Sequence, residues 1–120
     1  MESSAPFSGI LMTAANVEAR VKYAAIDHAT SGDNTLVVAV TGKKIRVLSC
    51  WLVSAGAVTT RFESAAGGTA LSGQITLTAG TGFVLPYNEG GWFETAASVL
   101  LNLELSGAVS VDGSLSYVEV

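Results

Sequence analysis

Charge is scarce in this chain. Asp, Glu, Lys and Arg make up 13% of its 120 residues, about half the usual share of roughly 25%. Hydrophobic types reach 49% and the mean hydropathy is +0.48, so a small monomer would struggle to stay soluble. No apolar run approaches the roughly 18 residues that a membrane helix needs, which leaves burial against other protein chains as the outlet for the excess apolar surface. Basic residues are absent after Phe62. Up to that point six basic residues stand against four acidic ones, and beyond it six acids follow with no base. With a pI near 4.7 and only Lys43, Lys44 and Arg46 clustered, the chain makes a poor electrostatic partner for nucleic acid.

Cysteine and histidine occur once each. Cys50 alone excludes an intrachain disulfide, and between Ser49 and Trp51 it reads as a small buried hydrophobe rather than a reactive thiol. His28 alone excludes a metal centre built on several imidazoles. It sits beside Asp27, but adjacent residues seldom orient one another as a catalytic triad requires. Gly80 and Gly82 and the Gly67 and Gly90 pairs lack the Lys-Ser/Thr context of a phosphate loop. No catalytic residue, cofactor or metal ligand is expected, nor a membrane span. The N-terminal stretch carries Glu2, no basic region and only the short apolar FSGILM, so a secretory signal is not expected and synthesis in a cytoplasm is.

What the chain does have is β patterning. KKIRVLSCWLVSAGAVTTRFES, residues 43–64, holds two β-rich runs that meet at Ala55-Gly56. The second alternates, with Val58, Thr60 and Phe62 on one side and Thr59, Arg61 and Glu63 on the other, and the whole reads as an antiparallel hairpin. Trp51 and Phe62 are placed in its core and Arg61 on the far face. The first run alternates at Lys44–Val47 but is apolar on both faces from Leu48 to Val53 apart from Ser49, as where a sheet passes under a partner or a long loop. Further strands are read at residues 20–26, 35–40, 71–78, 83–85 and 101–105, with Pro86 ending one of them. Asp112-Gly113 is read as a tight turn before Leu115. The sum is an all-β, two-sheet antiparallel β-sandwich, jelly-roll-like, of about eight strands over residues 19–120, preceded by an N-terminal arm over residues 1–18. That arm is either a frayed terminus or a segment that reaches across a neighbouring subunit. Glu89 and Glu94 flank an aromatic stretch and admit two readings. They are paired carboxylates on a sugar-binding floor, or loop acids beside Tyr87, Trp92 and Phe93, rings that plug one end of the sandwich.

The succession DHATSGDNTLVVAVTGKKIRVLSCWLVSAGAVTTRFES, FVLPYNEGGWFET and LNLELSGAVSVDGSLSYVEV resembles a group of small virion proteins of tailed phages, of the capsid decoration or cement type. The resemblance covers residues 26–120 and transfers no functional residue. It implies a jelly roll that trimerises on the outside of a capsid, with itself and the major capsid protein as partners. On that reading the contacts fall to the arm (Phe7, Ile10, Leu11, Met12), to the basic edge (Lys43, Lys44, Arg46) and to Tyr87 and Trp92. The alternative is a receptor- or glycan-binding module of the virion surface.

Overall fold

The computed structural model describes residues 10–12 and 18–120. Twelve strands and no helix are found there: β1 (Ile10–Met12), β2 (Glu18–Arg20), β3 (Lys22–His28), β4 (Gly32–Val37), β5 (Ile45–Ser54), β6 (Val58–Ser64), β7 (Thr69–Ala70), β8 (Ile75–Leu77), β9 (Gly82–Leu85), β10 (Phe93–Glu94), β11 (Leu101–Leu105) and β12 (Val111–Glu119). All pairings are antiparallel. One sheet runs β10-β5-β12-β3, with β9 also on β5; the other runs β4-β11-β6-β7, with β8 also on β6. The four strands beyond the expected eight are the two- and three-residue pieces β1, β2, β7 and β10. From β3 to β12 the longer strands alternate between the sheets, and only β6 and β8 stay together. That is the order of a jelly roll.

This order corrects the central hairpin. β5 and β6 do not pair; they lie in opposite sheets, and the chain crosses the sandwich between them. The backbone at the crossing is already claimed: Ser54 N donates to Thr81 O at 2.8 Å and Ala55 N to Ser110 O at 2.9 Å. The face assignment within β6 holds for Val58, Thr60 and Phe62, all buried. Phe62 spans the two layers. Its ring lies 4.8 Å from that of Phe93 and 6.3 Å from that of Phe83, both on the opposite sheet. Leu101, Leu103 and Leu105 fill the same core.

Trp51 is not in that core. It is half exposed, on the outer face of its sheet. The reason is a bulge: Ser116 pairs with Ser49 and Tyr117 with Val47, so Leu48 is an extra residue in β5. One extra residue reverses the alternation. Cys50 and Leu52 point inward on one side of the bulge, Ile45 and Val47 on the other. Leu48 itself packs outside with Ala19, Val118, Val21 and Val120. The apolar stretch at residues 48–53 thus has two causes, a parity switch and an uncovered face.

Asp112-Gly113 is no turn either. Both residues lie inside β12, paired to β3 and to β5. A Cβ on Gly113 would fall 1.9 Å from Trp51 O, so glycine is present for the close approach of β5, a role it shares with turn positions in sequence but not in mechanism. The arm is described at Ile10–Met12 and Glu18, and Ile10–Met12 pair with Glu18–Arg20 across the expected boundary; Phe7 lies outside the described residues.

Gly113→Ala is expected to cost about 1–3 kcal/mol through overpacking. Gly107→Ala, with nothing within 4 Å of the new methyl, should stay within about 0.5 kcal/mol of the parent. Urea denaturation of the two variants checks this, and the reverse order would restore the turn reading.

Candidate functional site

The sandwich has two outer faces of opposite character. On the β3/β12/β5/β9 sheet, opposed residues form rows that share a face: Tyr23, Ser116 and Ser49; then Ala25, Ser114, Trp51 and Val84; then Asp27, Asp112, Val53 and Gly82. Tyr23 (74%), Val84 (71%), Trp51 (50%) and Val53 (38%) remain open to solvent. The floor between them is small, with Ser49 and Ser116 hydrogen-bonded through their hydroxyls. Large side chains beside a floor of serines make this outer face apolar.

One edge of this face is built by residues 86–92. Asn88 N donates to Leu48 O at 2.9 Å and Trp92 N to Val47 O at 2.8 Å, which lays the loop along β5. Trp92 Nε1 donates to Pro86 O at 2.8 Å and holds the indole across the loop. Gly91 has φ +84°, and a Cβ there would meet Arg46 Cγ at 2.4 Å, so the Arg46 stem rests on it. Arg46 Nε reaches Glu94 Oε1 at 2.8 Å and Lys44 Nζ reaches Glu94 Oε2 at 3.5 Å. Burial would raise the Glu94 carboxyl, but these two cations hold it below its ordinary value. The Tyr87 phenol is shifted up, first by burial, then by Glu89 and by Tyr23.

Of the residues expected to make contacts, Lys44, Arg46, Tyr87 and Trp92 come together at this edge. Lys43 is exposed in the turn before β5, where its N donates to Val40 O. Ile10, Leu11 and Met12 lie in β1, which pairs with β2 and with none of the strands at that edge. Glu94 is committed to Arg46 and Lys44 and so is not half of a free carboxylate pair with Glu89. The sequence reading missed Tyr23, Trp51, Val53 and Val84 as surface residues. The available signal was Ser49, which shares parity with Trp51 and Val53. Cys50 is buried, and burial pushes its thiol up to about 12.

The outer face of the other sheet carries a polar network that was not expected. Glu63 is fully buried. Its Oε2 accepts from Arg61 Nε at 2.9 Å and its Oε1 from Asn102 Nδ2 at 2.9 Å. Asn102 Nδ2 also reaches Asp33 Oδ1 at 3.0 Å, and Arg61 Nη2 bonds Glu104 Oε1 at 3.2 Å. The cover comes from residues 65–68: Gly67 N donates to Asp33 Oδ1 at 3.0 Å, so the turn after β6 arches across β11 to β4. Gly67 has φ +64°, and a Cβ on Gly68 would lie 1.9 Å from Ser64 O; the AAGG string is the arch's requirement. Asn102 Oδ1 finds no hydrogen-bond partner among the described residues. Among those residues there is also no cluster of three His, Cys, Asp or Glu suited to a metal ion.

Burial alone would raise the Glu63 carboxyl; hydrogen bonds from Arg61, Glu104 and Asn102 outweigh it and lower it. Glu104 is raised, chiefly by its hydrogen bond to Glu63 and by that carboxylate's charge. No protein-family model matches the chain, and neither a curated protein nor a solved structure does.

A lowered folded-state value means that Glu63 adds stability above the ordinary carboxylate range of about 4.3 and loses it as pH falls through its own lower value. Glu104, being raised, works the other way and favours the folded state while protonated. The urea midpoint is expected to fall below about pH 4 in the parent and to fall less steeply in Glu63→Gln. Arg61→Ala, which strips the fully buried Glu63 carboxylate of its cation, should lower the midpoint at pH 7 more than Lys22→Ala, whose partner Glu119 keeps some contact with solvent.

Proposed function

We propose that this protein is structural: a decoration or cement protein, associated as a homotrimer, that clamps the outside of an assembled phage head. The observation that carries the reading is the exposed apolar face of one sheet, Tyr23, Trp51, Val53 and Val84, on a chain with little charge to compensate it. Such area is characteristic of a surface that is covered in its working state. The other outer face, with Arg61, Glu104 and the arch over Glu63, suits water. The resemblance to small virion proteins of tailed phages supplies the partner class, the major capsid protein, and the location on the capsid exterior.

The mechanism on this reading is linkage. A protein that binds the closed shell and not its parts stabilises the shell by RT ln(1 + [L]/Kd) at each site, and repetition over many sites multiplies the effect. Nothing in it requires a reacting group. A second reading, a receptor- or glycan-binding module, is favoured by one observation: Trp92 and Tyr87 stand about half exposed on one loop, and exposed rings with adjacent hydroxyls suit the faces of sugars.

Heat-release curves decide between the two. Particles lacking the protein should lose their genomes at a lower temperature than complete ones. Superimposable curves, with adsorption to cells reduced by Trp92→Ala, would replace the cement reading with the receptor-binding one.

A further inference from the structure

The apolar face ends in two chemically different borders. At one end Asp27 of β3 and Asp112 of β12 are directly opposed in register, and both are exposed. Like charges placed opposite one another across a ladder are destabilising, and neither makes an ion pair among the described residues. At the other end Lys44 and Arg46 share the single carboxylate of Glu94, with Lys43 exposed beside them. Asp112 pairs with Val53 and Arg46 pairs with Val118 on the same two strands, so the borders stand roughly 20 Å apart at about 3.3 Å per residue. Trp51 lies between them.

We propose that this face binds a second copy of the same chain, with the Asp27–Asp112 border of one copy against the Lys43, Lys44 and Arg46 border of the next and Trp51 in the enclosed centre. The inference rests on the self-association put forward above and specifies its contact. Each border carries what the other lacks, a surplus of negative charge against a surplus of positive charge, and only a partner of the same sequence is certain to offer both. The open parts of Tyr23, Trp51, Val53 and Val84 amount to roughly 300–400 Å² of apolar area. A standard interface takes about 800 Å² from each partner, a little over half of it apolar. The face therefore supplies most of an apolar centre, and the charged borders supply the rim. A border-to-border contact is met by a two-fold pair and equally by a head-to-tail ring.

Two charge-reversed proteins test it: D27K/D112K and K43E/K44E, each measured alone and mixed by light scattering at low micromolar concentration. The parent should be an oligomer, each variant alone should run at the 12.2 kDa monomer mass, and the 1:1 mixture should reassociate. It should do so as mixed pairs even where the parent is a three-membered ring, because an odd ring cannot alternate the two charges. Reassociation also shows that both variants are folded. Trp51→Ala should weaken parental association at least tenfold, and raised salt should weaken it further. A monomeric parent, variants that stay assembled, or variants that remain monomeric when mixed would each overturn the proposal. A dimeric parent obeying the same charge rules would uphold this contact and remove the trimer from the proposed function. Normal association with unchanged shell stability would uphold the contact and remove the cement role.

Discussion

A single extra residue in β5 decides what the core receives. Ile45, Val47, Cys50 and Leu52 all point inward, although the first pair and the second pair differ in parity. The bulge at Leu48 reconciles them. Without it, regular alternation from Leu52 would carry Arg46 and Lys44 under the opposite sheet, and two unpaired cations would be buried. With it, Arg46 and Lys44 reach Glu94 at the edge, and Leu48 seals the small outer cluster with Ala19 and Val118. The core, the basic border and the seat of β2 all follow from that one irregularity.

The two sheets solve their outer faces differently. Over β11 and β6 the chain spends four residues on an arch and buries a carboxylate with a full set of donors. Removing a partner from such a group is costly, so the network fixes the position of the arch more than it adds net stability. Over β12 and β5 the described residues supply no such cover beyond the patch held by Ala19. The face there stays apolar, nearly neutral in its centre and charged only at its ends. One sandwich thus presents a finished surface and an unfinished one, and the proposed function is built on the second.

Strand positions were readable because alternation is local. Phe62 and the Leu101, Leu103 and Leu105 set needed only their neighbours to be placed, and Pro86 needed only its missing donor. Pairing was not readable, because β5 meets β12 and β9 rather than β6, and no local pattern states which strands become neighbours. Gly113 misled for a related reason. Glycine serves both a turn and the close approach of two backbones, and the second becomes visible only when the partner strand is present. Trp51 was placed inside on its bulk, whereas Ser49, two residues before it, carried the better indication of which way that face looks. Glu63 offered no sign at all. Its burial depends on the arch, and the arch on Asp33, thirty residues earlier.

Two of the internal strands, β12 in one sheet and β11 in the other, come after all the strands they join. Each joins strands made much earlier: β12 lies between β3 and β5, and β11 between β4 and β6. During synthesis, then, the earlier strands emerge with partner edges open: β4 and β6 wait for β11, and β3 and β5 wait for β12. Non-local pairing of this kind is slow to form, and open edges in the waiting chain invite association with other chains. A chain truncated before residue 111 would keep β4, β11 and β6 joined in one layer but leave β3 without a ladder partner and one edge of β5 open, so the second layer depends on the nine-residue β12.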